Sequence, residues 1–211
     1  MAILAYGSKN ARFMARLWDL FLLNLLWIVG SLPIVTVGIS TIAAYSVMLK
    51  MVQDDDPRVI RDFLEAYRGN LRQGLGLSLL LVAVSGAAAV DFLLFEAVEG
   101  SPIFLLIIGM LTAAFLLLHV LYAFPLAARY ENTVYHHLTN SRQIFIRYFV
   151  RTIACLALVA GEVWLFLFNG MLMMYVGFFL LPILVISTVS AFSIKIFRQI
   201  EKEGGVLPAE V

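Results

Sequence analysis

Cysteine is almost absent. The chain has 211 residues and a single cysteine, Cys155. No disulfide can close within it and no cysteine metal cluster can form. Cys155 lies in an apolar segment and reads as a small buried apolar residue. Charge is scarce as well: charged residues are 14% of the chain, where a soluble domain carries about 25%. The net charge of +1 says little, because the arrangement of charges matters more than their sum, and no nucleic-acid partner is expected. Chemical motifs are missing too. There is no phosphate-binding glycine loop, no HExxH zinc pair, no GxSxG elbow and no pair of catalytic carboxylates on a common face. His136 and His137 are adjacent and point to different helix faces, which argues against paired metal ligation. The sequence therefore nominates no catalytic residue, no cofactor and no metal ligand, and the expectation is a protein that is not an enzyme.

Hydrophobicity is what the chain has in abundance. Apolar residues make up 62%, against about 45–50% in soluble domains, and the mean hydropathy is +0.94. No soluble fold of this size hides so much apolar surface, so lipid must be the solvent for most of it. Lys9, Arg12 and Arg16 give a basic start, but the apolar run after them is too long for a cleaved signal peptide and continues into further spans. It reads as a signal anchor that stays.

A membrane helix needs about 20 mostly apolar residues. Segments 74–95, 102–127, 148–168 and 171–194 qualify, as does 17–32. The question is whether 36–50 is a sixth. The lysines and arginines answer it, since cytoplasmic loops are enriched in them. With six spans all 15 basic residues fall on one side. With five, the cluster at 50–72 falls opposite Lys9–Arg16. The opening run "LNLLWIVGSLPIVTVGIS" is therefore read as a hairpin. Pro33 breaks the helix, Gly38 permits the reversal, and the short return limb is tilted or covered by neighbours. The expected fold is all-α: a polytopic membrane helix bundle, one domain, six spans as three hairpins (17–50, 74–127, 148–194). Both termini lie on the cytoplasmic side, with two amphipathic cytoplasmic connector helices within 51–73 and 128–147. In the first connector Val59, Ile60, Phe63, Leu64, Tyr67 and Leu71 recur at helical spacing. Asp54–Asp55–Asp56 followed by Pro57 predicts an aspartate cap and a proline at the first helical position.

Few polar residues interrupt the spans. Glu162, in "LVAGEVWLFLF", carries a charge that costs at least ~2.5–3.5 kcal/mol at mid-bilayer. It must face the bundle interior or water, be protonated, or lie near the outer face. Asp91 lies at a similar height and is a candidate to share a site with it. Asn24 is expected to make an interhelical hydrogen bond, Asp19 to pair with Arg16 or another inner arginine, and His119 to be a satisfied packing histidine. A weak internal repeat places Arg68 and Arg72 one turn apart at the mouth of the third span and Arg147 and Arg151 likewise at the fifth. Three readings stay open for them: anchoring to anionic headgroups, a shared docking role, or inheritance from a duplication.

The opening motif also carries a resemblance. "LNLLWIVGSLPIVTVGISTIAAYSVMLKMV", with Asn24, Trp27, Pro33, Thr36, Gly38 and Tyr45, resembles the signature of the YesL family of bacterial membrane proteins. "YAFPLAARYENTVYHHLTNS", with Tyr122, Pro125, Arg129 and Tyr130, is similar to a second stretch of that family. Ile39 departs from it, standing where a small residue or proline is expected. The resemblance implies a small helical protein of the bacterial cytoplasmic membrane, of unassigned activity, associated with carbohydrate ABC importers. It supplies no catalytic residues. Its motif residues are shape residues, which suits a subunit or scaffold. The partners it implies are the lipid bilayer, ABC permease subunits or a second copy of the chain. A small stand-alone transporter with a site near Glu162 is the alternative.

Overall fold

The computed structural model describes residues 9–97 and 103–203; Glu99 and most of the expected connection 95–102 lie outside the described residues. All regular structure among them is helical. In chain order the helices are α1 (Lys9–Gly30), a 3-10 turn (Ile34–Thr36), α2 (Val37–Val52), α3 (Val59–Gly69), α4 (Leu71–Ala97), α5 (Ile103–Val120), α6 (Ala123–Arg129), α7 (Val134–Arg147), α8 (Phe149–Leu167) and α9 (Met171–Lys202). Five of these, α1, the 3-10 turn continued by α2, α4, α8 and α9, are long and apolar enough to cross a membrane. The apolar part of α5, Ile103–Leu116, is shorter. The chain is thus a polytopic all-helical membrane protein.

The opening run does fold back on itself. α1 ends at Gly30, Pro33 adopts φ −75° and ψ 116°, and α2 starts at Val37. The Thr36 hydroxyl lies 2.8 Å from Gly30 O, a carbonyl at the end of α1, and 2.7 Å from Pro33 O, which also accepts Thr36 N–H, so its one proton is shared between the helix end and the turn. Arg16 near the start of α1 forms a 2.6 Å ion pair with Asp54 beyond α2, which brings both basic clusters to one end of the hairpin.

The return limb is the centre of the molecule. α2 packs against α1, α3, α4, α6 and α9, and Ile39, Ile42, Ala43, Ala44, Val47 and Met48 are buried. A helix that is apolar all round is a buried helix, and this one is covered by protein on most faces. Gly38 does not make the reversal. It sits in the first turn of α2, where a Cβ would lie 2.6 Å from Gly74 O and 2.6 Å from Ser78 Oγ of α4. A Cβ on Gly74 would in turn lie 2.6 Å from Ile39 Cα. The two glycines let the backbones of α2 and α4 touch, and Gly38 N–H donates to Ser78 Oγ at 2.7 Å.

Three further expectations are corrected. Segment 102–127 is not one helix: α5 stops at Val120 and α6 begins at Ala123. Pro125 in the first turn of α6 has no N–H to continue the ladder, and its ring excludes the carbonyl of Leu121 from helical geometry. The aspartates at 54–56 do not cap α3, whose N-cap is Arg58 without a side-chain hydrogen bond. Asp54 instead ends α2. At φ 63° it takes the left-handed position of a Schellman motif, with Asp54 N–H donating to Met51 O at 3.2 Å and Asp55 N–H to Lys50 O at 3.2 Å. Finally, α9 runs eight residues past the expected end of the last span. At 32 residues it is about 48 Å long, so it projects beyond a hydrocarbon core of about 30 Å.

Candidate functional site

Three polar constellations interrupt the apolar bundle. The first gathers the opening motif. Asn24 of α1 donates from Nδ2 to Phe179 O of α9. Pro182 lies three residues on, inside α9; its missing N–H would have served Phe178 O, so Asn24 bonds the carbonyl next to the one the proline leaves without its helical donor. Trp27 Nε1–H donates to Thr41 Oγ1 at 3.1 Å, and Ser40 Oγ donates to Trp27 O at 2.8 Å. Tyr67 of α3 reaches Gly30 O at 3.3 Å. Tyr45 is buried in the core. Trp27 and Tyr45, with Ser31, Thr41 and Pro182, line an apolar crevice of about 810 Å³ between the first hairpin and α8–α9. Hydroxyls and one indole are its polar groups, so it can hold an apolar chain but offers no acid, base or metal ligand.

The second constellation lies in the last hairpin. Thr188 of α9 donates to Glu162 Oε1 of α8, and Glu162 Oε2 is buried without a partner among the described residues. Asp91 does not join it. Asp91 Oδ2 lies against Gly109 of α5, where a Cβ would come within 2.8 Å. The two acids therefore face their own hairpin partners and do not form one site. His119 donates from Nδ1 to Phe115 O at 3.1 Å and stacks on the Phe115 ring. Cys155 is fully buried.

The third is at the basic end. Tyr122 is fully buried at the α5–α6 joint; its N–H donates to Ser141 Oγ and its hydroxyl pairs with Thr152 at 3.0 Å. Arg129 and Tyr130 both converge on Glu201 Oε1, at 2.9 and 2.8 Å. Burial, and next the Glu201 hydrogen bond, push the Tyr130 phenol up to about 12. Arg147 pairs with Glu203 at 2.6 Å, Arg151 donates to Gln199 Oε1 at 2.7 Å, and both guanidinium groups lie 5.7 Å from the Tyr148 ring. Arg147 and Arg151 are thus engaged by the protruding end of α9. Arg68 and Arg72 are exposed and make no ion pair among the described residues. Asp19 does not pair with Arg16, which is taken by Asp54. His137 is buried and donates from Nε2 to Gln73 Oε1 at 3.1 Å. Burial, and next the neighbouring His136, lower its pKa to about 4. A polar cavity of about 530 Å³ opens here between Lys50, Asp62, Asn70, Gln73, Arg129 and Glu131.

Sequence reasoning missed Glu201, Glu203 and Gln199, because the last span was expected to end at residue 194. The sign was the helical continuation "IKIFRQIEK", whose Ile196, Phe197 and Ile200 are buried. No cluster of three or more potential metal ligands exists among the described residues.

Fold and sites together define a multi-pass helical membrane protein whose polar groups chiefly join one helix to another. Residues 20–92 match the model of a family described as a protein of unknown function, DUF624. That stretch covers the second half of α1, the reversal, α2, α3 and most of α4. No curated protein and no solved structure matches the chain.

Proposed function

We propose that this chain is an accessory integral-membrane subunit, or assembly partner, of an ABC-type carbohydrate uptake system in the bacterial cytoplasmic membrane. Carbohydrate uptake comes from the resemblance to the YesL family, whose opening motif, Asn24 to Tyr45, lies within the stretch matched as DUF624. The role of a subunit rests on one observation. Along α4, Ala83, Ser85, Gly86, Ala87 and Ala89 are exposed, and a Cβ built on Gly86 meets nothing within 4 Å. Small residues let helices approach closely in lipid, and among the described residues no helix covers these positions. The motif residues Asn24, Trp27, Thr36, Gly38 and Pro125 serve helix packing and helix ends, as a scaffold requires.

The test is purification from native membrane in mild detergent. Co-purification of permease subunits is the expected result. A chain that runs alone while the permease stays intact refutes the proposal, and one that runs only with itself makes the α4 face a homo-oligomer contact. The proposed orientation, both termini cytoplasmic, is tested separately with an impermeant thiol reagent on intact cells. Asn169→Cys is expected to react and Arg61→Cys to be protected, with buried Cys155 silent. The reverse pattern overturns the orientation.

One observation favours the second reading, a small transporter. Glu162 Oε2 is a buried acceptor without a partner among the described residues, and intramembrane acids often mark a substrate or proton path. Uptake into proteoliposomes that Glu162→Gln abolishes supports it; uptake that the substitution leaves unchanged removes the acid from any mechanism.

A further inference from the structure

The arginines at the N-cap of α3 and within it contrast with three others at the basic end. Arg16, Arg129 and Arg147 each hold a carboxylate. Arg58, Arg61 and Arg68 form no ion pair with any carboxylate among the described residues. They line a crevice of about 890 Å³ between α3 and the lower part of α1, together with Trp18, Leu22, Ile60 and Leu64. These apolar side chains are not covered by protein: Trp18 is 64% exposed, Ile60 51% and Leu64 41%. The crevice thus sets three cationic side chains beside exposed apolar ones of α3 and of the membrane-spanning helix α1.

We propose that this crevice binds one anionic phospholipid. Its phosphodiester is held by Arg58, Arg61 and Arg68, and its acyl chain lies against Trp18 and Leu22. Guanidinium groups match phosphate oxygens in pairs, and basic pockets beside membrane helices bind anionic headgroups. Tryptophan is enriched at the level where headgroup meets chain. Asp19 and Glu65 also line the crevice. Against the three arginines they leave one net positive charge, which a single phosphodiester neutralises. A free anion would leave Trp18, Leu22, Ile60 and Leu64 bare, whereas a lipid covers both sides.

The experiment uses the full chain in nanodiscs of phosphatidylcholine containing phosphatidylglycerol. Retained lipid is counted by native mass spectrometry, and the thermal midpoint is followed on titration in detergent. Phosphatidylglycerol is expected to be retained over phosphatidylcholine and to raise the midpoint, with glycerol phosphate failing to displace it. Arg58→Gln/Arg61→Gln/Arg68→Gln is expected to lose retention at least fivefold, Trp18→Ala to lose part of it, and the control Arg142→Gln on α7 to lose none. If the triple variant does not fold, Arg61→Gln alone, at an exposed side chain, carries the test with a smaller loss. Equal retention of the two lipids overturns the proposal. So do unchanged retention in the arginine or tryptophan variants, an equal loss in Arg142→Gln, and displacement by glycerol phosphate, which would mean a free-phosphate site.

Discussion

Gly38 and Gly74 set the separation of α2 and α4, and each lies against backbone atoms of the other helix. A methyl group at Gly38 would lie as close to the Gly74 carbonyl oxygen as to the Ser78 hydroxyl, and turning the hydroxyl aside leaves the clash with backbone. Gly38→Ala must therefore separate two helices and stretch the Gly38–Ser78 hydrogen bond. A loss of about 1–3 kcal/mol is expected, seen as a lower thermal midpoint in detergent; an unchanged midpoint refutes the close crossing. His137 makes a different prediction at the same scale. It is buried neutral on α7, with its pKa lowered from 6.5 to about 4. Between those values the unfolded chain binds a proton that the folded chain does not. Its contribution is complete above pH 6.5 and is lost as pH falls through this window, by roughly 3 kcal/mol when the fall is complete. Thermal midpoints measured from pH 7 to pH 4 are expected to fall less in His137→Gln than in the parent. Parallel curves assign the acid sensitivity to other groups.

The ends of helices carry most of what the sequence concealed. Five of the six expected spans were legible, because a helix bathed in lipid must be apolar for its full length, and Pro33 marked the hairpin for the same steric reason that the structure displays. Pro125 carried an equally plain signal for the α5–α6 break, masked by the apolar composition on both sides of it. Gly38 was ambiguous in principle: glycine serves a reversal and a close helix crossing alike, and only the position of α4 decides. The bond from Asn24 to Phe179 joins residues 155 apart, and local pattern cannot name such a partner. Asp54 was ambiguous in direction. An aspartate run before a proline suits the start of α3, yet Asp54 closes the end of α2 in the left-handed region. A left-handed residue with a Cβ costs about 1–2 kcal/mol relative to glycine. Asp54→Gly and Asp54→Ala both lose the exposed Arg16 pair, so their difference isolates the backbone. The glycine variant is expected to be more stable than the alanine variant by about 1 kcal/mol in detergent melts. Equal stabilities place Asp54 outside the left-handed region.

At the scale of the whole molecule, two units share a design. α3 joins α4 through the single residue Asn70, at φ −105° and ψ 18°, and α7 joins α8 through Tyr148, at φ −110° and ψ 35°. In each a connector helix turns into a span at one residue, followed by a further apolar helix. The backbones repeat while the side chains diverge: Arg147 and Arg151 flank Tyr148 and engage α9, whereas Arg68 lines the open crevice beside α1. α2 packs against both helices of the first joint, α3 and α4, and against α9 that follows the second. Stability therefore concentrates at α2, while much of α4 faces outward. Two substitutions of the same chemistry separate the roles. Ala44→Leu adds volume at a fully buried position of α2 and is expected to cost about 1–3 kcal/mol, lowering both the thermal midpoint and the yield of folded protein. Ala87→Leu adds the same volume on the exposed face of α4 and is expected to leave the midpoint within about 0.5 kcal/mol of the parent, while removing any helix that docks there from the material that co-purifies. A folded Ala87→Leu chain that still brings down its partner moves the docking face off α4, and an Ala44→Leu chain as stable as its parent removes α2 from the centre of the bundle.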